Sequence, residues 1–183
     1  MRAVVCAGCA AELGRAACAS GEPPAGVERC WASAPHGGVA RQLVGALKFR
    51  RLLPVAGLMA ERIALLAPPP LLAATVVPVP PAPLRLLSRG FDPAGELAAA
   101  LAARTGAPLR DCLRRRGGGR QVGRRRAQRL GAPPRIDAAE PAPARALLVD
   151  DVITTGATLS ACAAVLRAAG ATSVAAVCFA RRL

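Results

Sequence analysis

Tyrosine is absent from this 183-residue chain, and aromatic residues amount to 2% of it. A sequence so poor in rings lacks the stacking platforms on which single-stranded nucleic acid is usually held. Lysine is nearly absent too: Lys48 stands alone beside 24 arginines, and acidic residues number 11, for a net charge of +14. With charged residues at 20% and hydrophobic ones at 53%, the composition excludes a disordered chain and supplies one domain-sized core. Long apolar runs free of proline are also missing. Residues 63–84 carry no charge, but Pro68, Pro69, Pro70, Pro78, Pro80, Pro81 and Pro83 interrupt them, and no continuous membrane helix absorbs that many. Near the N-terminus Glu12 breaks the apolar patch too early for a secretory signal, so the expectation is a cytoplasmic protein without a membrane partner.

The positive charge is unevenly spread. Ten of the 25 basic residues fall within 110–135, where Asp111 is the only acid. Such a tract meets anions or remains solvated. Around Gly117-Gly118-Gly119 it has no apolar period and reads as a surface loop reaching about residue 134.

Seven cysteines, an odd number, do not describe a disulfide framework. Cys112, Cys162 and Cys178 lie in apolar stretches and read as small core residues. Cys6-Ala-Gly-Cys9 is a CxxC spacing, and with Cys18 and Cys30 it offers four thiolates to a tetrahedral zinc ion; reduced thiols in a decayed knuckle are the alternative. Residues 1–36 thus read as a Cys-containing knuckle and linker, and 37–183 as the main domain. His36, before Gly37-Gly38, reads as a loop residue.

Within the main domain, helical spacing begins at Val39 and again at Pro54. Residues 73–79 read as a buried strand, and 109–113 as another short one. Asp92-Pro93 pairs an N-cap with a proline at the first helical position, and Gly106 ends that helix. The apolar run 146–149 predicts a strand buried on both faces. Leu159, Cys162, Ala163 and Leu166 then follow helical spacing up to Gly170, and 173–179 form a last apolar strand. Strand, glycine turn, helix and strand make a βαβ unit with a parallel sheet.

The sharpest signal lies at its first turn, Leu147-Leu148-Val149-Asp150-Asp151-Val152-Ile153-Thr154-Thr155-Gly156-Ala157-Thr158-Leu159. A buried strand delivers two carboxylates to the edge where open α/β sheets bind ligands. Gly156 permits close backbone approach, and unpaired amides at the helix start favour an anion. Thr154, Thr155 and Thr158 add hydroxyl donors. The combination suits a sugar phosphate, with amides and hydroxyls on the phosphate and carboxylates on vicinal sugar hydroxyls.

This string resembles the 5-phosphoribosyl-1-pyrophosphate (PRPP) motif of type I phosphoribosyltransferases. Together with the CxxC, Leu47-Lys48-Phe49, Val77-Pro78-Val79-Pro80, Arg89-Gly90-Phe91-Asp92 and the 114–129 tract, the chain resembles the ComF family of competence-associated phosphoribosyltransferase-like proteins. The resemblance implies a type I phosphoribosyltransferase α/β fold, a central mostly parallel sheet flanked by helices with a small Cys-containing N-terminal region. It implies an enzyme that binds PRPP with Mg²⁺ through Asp150, Asp151, Thr154, Thr155, Gly156, Ala157 and Thr158, and transfers the phosphoribosyl group to an unidentified acceptor. It places a pyrophosphate loop at 80–89 with Arg85 and Arg89, and a lid at 114–130 with Arg116, Gln121 and Arg125. Two rival readings share these residues: a non-catalytic PRPP or nucleotide sensor, and a DNA-uptake accessory whose arginine tract meets nucleic acid or a helicase partner. One departure stands out. Where the family commonly has Asn-Gln, this chain has Asp92-Pro93.

Overall fold

The computed structural model describes residues 4–19, 21–116 and 134–182. In chain order the elements are α1 (Ala7–Arg15), β1 (Cys30–Pro35), α2 (Gly38–Arg50), α3 (Pro54–Leu66), α4 (Pro69–Leu72), β2 (Thr75–Pro78), α5 (Pro83–Arg89), α6 (Pro93–Thr105), β3 (Leu113–Arg115), β4 (Ile136–Ala138), β5 (Arg145–Ile153), α7 (Ala157–Ala168) and β6 (Ser173–Arg181). The expected α/β architecture is present. Four strands in the order β1-β6-β5-β2 form a sheet in which every pairing is parallel, while β3 and β4 make a separate antiparallel pair.

Residues alternate between the faces of a strand, so β5 serves two cores at once. Leu147 and Val149 join Phe179, Val177 and the apolar stripes of α2, α3 and α6 on one face. Ala146 and Leu148 join Cys178, Ala176 and the Leu159, Cys162, Ala163 and Leu166 stripe of α7 on the other. Burial on both faces is why this strand reads as a continuous apolar run rather than an alternating one. Among the described residues no helix is long and apolar enough to cross a membrane.

The N-terminal stretch departs from the sequence reading. Cys30–Pro35, expected to lie in a knuckle and linker, is an edge strand of the central sheet and pairs with β6 from Cys30↔Ala176 to Pro35↔Arg181. Buried polar groups fix it there. The Ser33 hydroxyl donates to the Phe179 carbonyl at 2.6 Å. The buried Arg62 guanidinium, from α3, donates to the Ser33 carbonyl at 2.9 and 3.1 Å and to the Ala16 carbonyl at 2.6 Å. The preceding residues clamp α7 and β6 from outside. Arg167 reaches the Gly26 carbonyl at 3.1 Å and pairs with Glu28 at 2.9 Å, and the Ser173 hydroxyl donates to Glu28 at 2.7 Å.

Smaller differences follow local chemistry. The strand expected at 109–113 is displaced: Leu109 makes a single bridge to Val76, and the strand runs Leu113–Arg115. The segment expected as a loop at 80–89 contains α5, started by Pro83 in its first turn and closed by Gly90 at φ 72°.

Candidate active site at the carboxyl edge of the sheet

All four parallel strands end on the same side, and the chemistry-bearing residues collect there. Asp150 and Asp151 occupy consecutive positions near the end of β5, so they point to opposite faces. Asp151 shares the face of Leu147 and Val149, and there it meets α2. The Lys48 ammonium lies 2.7 Å from its Oδ1, with the two side chains 20% and 6% exposed. Asp150, half-buried on the α7 face, accepts the Asp151 amide at 2.8 Å. Desolvation, followed by the neighbouring Asp151 charge, holds the Asp150 carboxyl well above the usual carboxylate range.

The turn after β5 is built as the sequence implies. Gly156, the residue before α7, has φ 76°, in the left-handed region, and a Cβ there would stand 2.6 Å from the Cγ of Pro24. Only glycine satisfies both demands. The Thr155 hydroxyl accepts the Ala157 amide at 3.4 Å, and no side chain caps Gly156. Thr154, Thr155 and Ala157 are exposed and Thr158 is half-buried, so the hydroxyls and opening amides of this twelve-residue helix line the edge.

A cationic cavity of about 350 Å³ adjoins this edge. Its walls include Lys48, Phe49 and Arg51 from the end of α2, Arg85 and Arg89 of α5, and Phe91; among the described residues no acid lines it. Two of the chain's three phenylalanines hold cations here. Arg89 lies over the Phe49 ring at 5.3 Å from the centroid, and Arg51 over Phe91 at 5.7 Å. Arg51 occupies the left-handed region at φ 51°, alone among the described non-glycine residues. That conformation costs about 1–2 kcal/mol in a residue with a Cβ, and it places strain beside the candidate site. A second cavity, about 240 Å³, lies at the opposite end between the starts of β5 and β6 and touches none of these groups.

The structure therefore brings Arg85 and Arg89 to the edge where Asp151 and the Thr-Thr-Gly-Ala-Thr turn stand, with Lys48 between them. Arg116 directly follows β3, and its guanidinium is bonded to Asp137; Gln121 and Arg125 lie outside the described residues. Sequence reasoning singled out Lys48, the only lysine, without choosing between the site and a helix surface, and gave Arg51 and Phe49 no role, because these roles arise from tertiary contacts. It read Asp92 as the cap of a helix, as the structure has it, but gave it no place in the site. This residue caps α6 by accepting the Ala94 amide at 3.0 Å, and burial raises its carboxyl to about 6. His36 follows β1 at the same edge. Desolvation, then the charges of Lys48, Arg41 and Arg182, lowers its pKa against the opposing pull of Asp151.

Zinc does not fit. Cys6 is the N-cap of α1 and Cys9 sits in its first turn, so the CxxC opens a helix and its two thiols hydrogen-bond to each other. Cys30, at the head of β1, receives a hydrogen bond from Cys178 that draws its thiol down to about 7, with Arg181 contributing. Strand pairing with β6 fixes Cys30 at the edge of the central sheet. Among the described residues no three metal-ligating side chains converge.

The family model described as a phosphoribosyl transferase domain matches residues 84–183. No curated protein matches the chain in a sequence search. Among solved structures, the allosteric regulatory enzyme of purine biosynthesis shares 25% identity at a TM-score of 0.43, covering 67% of this chain and 24% of its own. Orotate phosphoribosyltransferase from Aeropyrum pernix shares 23% identity at a TM-score of 0.41, covering 75% of this chain and 62% of its own. This chain thus spans less than two thirds of either relative's length. The matched residues contain the paired carboxylates, the threonine-glycine turn and both α5 arginines, and on that match the chain belongs to the phosphoribosyltransferase family.

Proposed function

We propose that the protein binds PRPP with Mg²⁺ at the carboxyl edge of the sheet and transfers its phosphoribosyl group to an acceptor. The observation that carries this reading is the juxtaposition at one edge of two carboxylates, a helix start flanked by threonines, and a cavity whose walls include four cations. The amides and hydroxyls of 154–158 hold the 5′-phosphate, for which the helix dipole is favourable. Carboxylate oxygens of Asp150 and Asp151 accept hydrogen bonds from the ribose hydroxyls. Arg85 and Arg89 receive the diphosphate, and the planar guanidinium matches phosphate oxygens in bidentate fashion.

Transfer breaks the bond between ribose C1 and the diphosphate oxygen, develops positive charge at C1, and releases negative charge on the leaving group. Positioning and fixed charge therefore supply most of the rate. The carboxylates and hydroxyls of 150–158 offer oxygen donors, which fit Mg²⁺; Asp150 and Asp151 would face the ion, which when bound would supply charge neutralisation at the diphosphate.

Resemblance to the ComF family supports a role in competence and DNA uptake, in the cytoplasm, in which the 110–135 tract would meet nucleic acid or a helicase partner. With β1 paired to β6, the transferase unit would start at Cys30 rather than at residue 37, and the residues before it would be its Cys-containing extension. A pyrophosphate-release assay with PRPP, Mg²⁺ and a panel of bases and small amines tests the transfer. Release with one acceptor is expected. Binding of PRPP with no release for any acceptor would leave a PRPP sensor.

A further inference from the structure

Lys48 belongs to two places at once. Its ammonium neutralises Asp151 at 2.7 Å, yet its side chain also walls the cationic cavity beside Arg51, Arg85 and Arg89. Two of those arginines lie over phenylalanine rings, whereas Lys48 holds a carboxylate that ribose hydroxyls would claim. Its stem of four methylenes allows the charge to swing between partners, as a planar guanidinium clamped on a ring does not.

From this geometry, and resting on the PRPP reading above, we propose that Lys48 is an exchangeable counter-ion that makes the site select ligands carrying a diol and a diphosphate together. Before binding, the ammonium satisfies Asp151. A diphosphate entering the cavity offers it a second, more highly charged partner. Moving there strips Asp151 of its counter-charge, which is unfavourable for a carboxylate that is 6% exposed. Sugar hydroxyls arriving at the same moment make up that loss. Either half of the ligand alone does not: ribose 5-phosphate must compete with Lys48 for Asp151, and pyrophosphate must draw Lys48 off with nothing to replace it. Selectivity thus comes from a cost that a partial ligand leaves uncompensated.

Lys48 acts here through Asp151 as well as on the diphosphate, so its effect is read as a ratio rather than a loss. The test measures dissociation constants for PRPP and for ribose 5-phosphate, each with Mg²⁺, by calorimetry on the parent, Lys48→Met and Lys48→Arg. For Lys48→Met the preference for PRPP over ribose 5-phosphate should fall at least tenfold, with ribose 5-phosphate binding as well as before or better. Lys48→Arg should restore most of the preference. Should Lys48→Met fail to fold with Asp151 left without a partner, Lys48→Gln gives the same ratio, since its amide donates to the carboxylate without charge. An unchanged ratio in the folded variant would overturn the proposal, whether both affinities stay or both weaken equally. Failure of the parent to bind either ligand would overturn the PRPP reading and this proposal with it. Parent binding with an unchanged ratio overturns this proposal alone.

Discussion

Asp92→Asn should make the protein more stable at neutral pH. Asp92 caps α6 through a 3.0 Å hydrogen bond from the Ala94 amide. Gly95 leaves room for this: a Cβ at that position would come within 2.9 Å of the Asp92 carboxylate. Burial nevertheless raises the carboxyl from 3.8 to about 6, against the lowering effect of the Gly95 and Ala94 amides and with a further rise from Asp111 and Asp151. The native state therefore binds more protons than the unfolded state between those values. Where that holds, stability falls as pH rises. Below 3.8 the carboxyl is protonated in both states and nothing is lost; above 6 the full cost of the buried charge is present. A shift of this size corresponds to at most about 3 kcal/mol, and partial exposure reduces it to about 2 kcal/mol. Asparagine caps helices about as well as aspartate and carries no charge. Urea unfolding followed by far-ultraviolet circular dichroism should show parent and variant nearly equal near pH 4, with the variant ahead by about 2 kcal/mol at pH 7.5. A difference that does not change with pH, or a variant weaker at pH 7.5, would refute the argument.

Arg51→Gly should relieve the left-handed strain and leave stability equal or up to about 1 kcal/mol higher, while weakening PRPP binding; thermal unfolding and calorimetry on one preparation report both. Gly156→Ala meets Pro24 and a positive φ together, so it should lose about 1–3 kcal/mol of stability in a urea titration. Metal analysis of protein purified without chelators should find far less than one zinc per chain, since among the described residues no three metal-ligating side chains converge; one equivalent would mean that Cys6, Cys9, Cys18 and Cys30 converge in solution.

What the sequence displays well is what neighbouring residues decide. The β5 run, the α7 stripe at Leu159, Cys162, Ala163 and Leu166, and the Asp92-Pro93 helix start each depend on spacing and local propensity, and each stands where the periodicity puts it. The Gly156 turn is legible for the same reason. β1 is not. Cys-Trp-Ala-Ser-Ala-Pro has little strand propensity, and it is a strand because β6 and the Arg62 guanidinium hold it, contacts made by residues far along the chain. The Lys48–Asp151 pair and the rings beneath Arg51 and Arg89 are likewise invisible to periodicity. Two adjacent aspartates also look like one unit in a sequence, yet strand alternation sends them to opposite faces, with only Asp151 facing a lysine.

The central claim is that this sheet edge binds PRPP through the paired carboxylates. Calorimetry with PRPP and Mg²⁺ on the parent and on the Asp150→Asn, Asp151→Asn double variant tests it most directly. The parent should bind, and the folded double variant should bind at least tenfold more weakly, a loss of about 1.4 kcal/mol or more. Equal affinity in the two proteins would contradict the assignment of the ribose to Asp150 and Asp151.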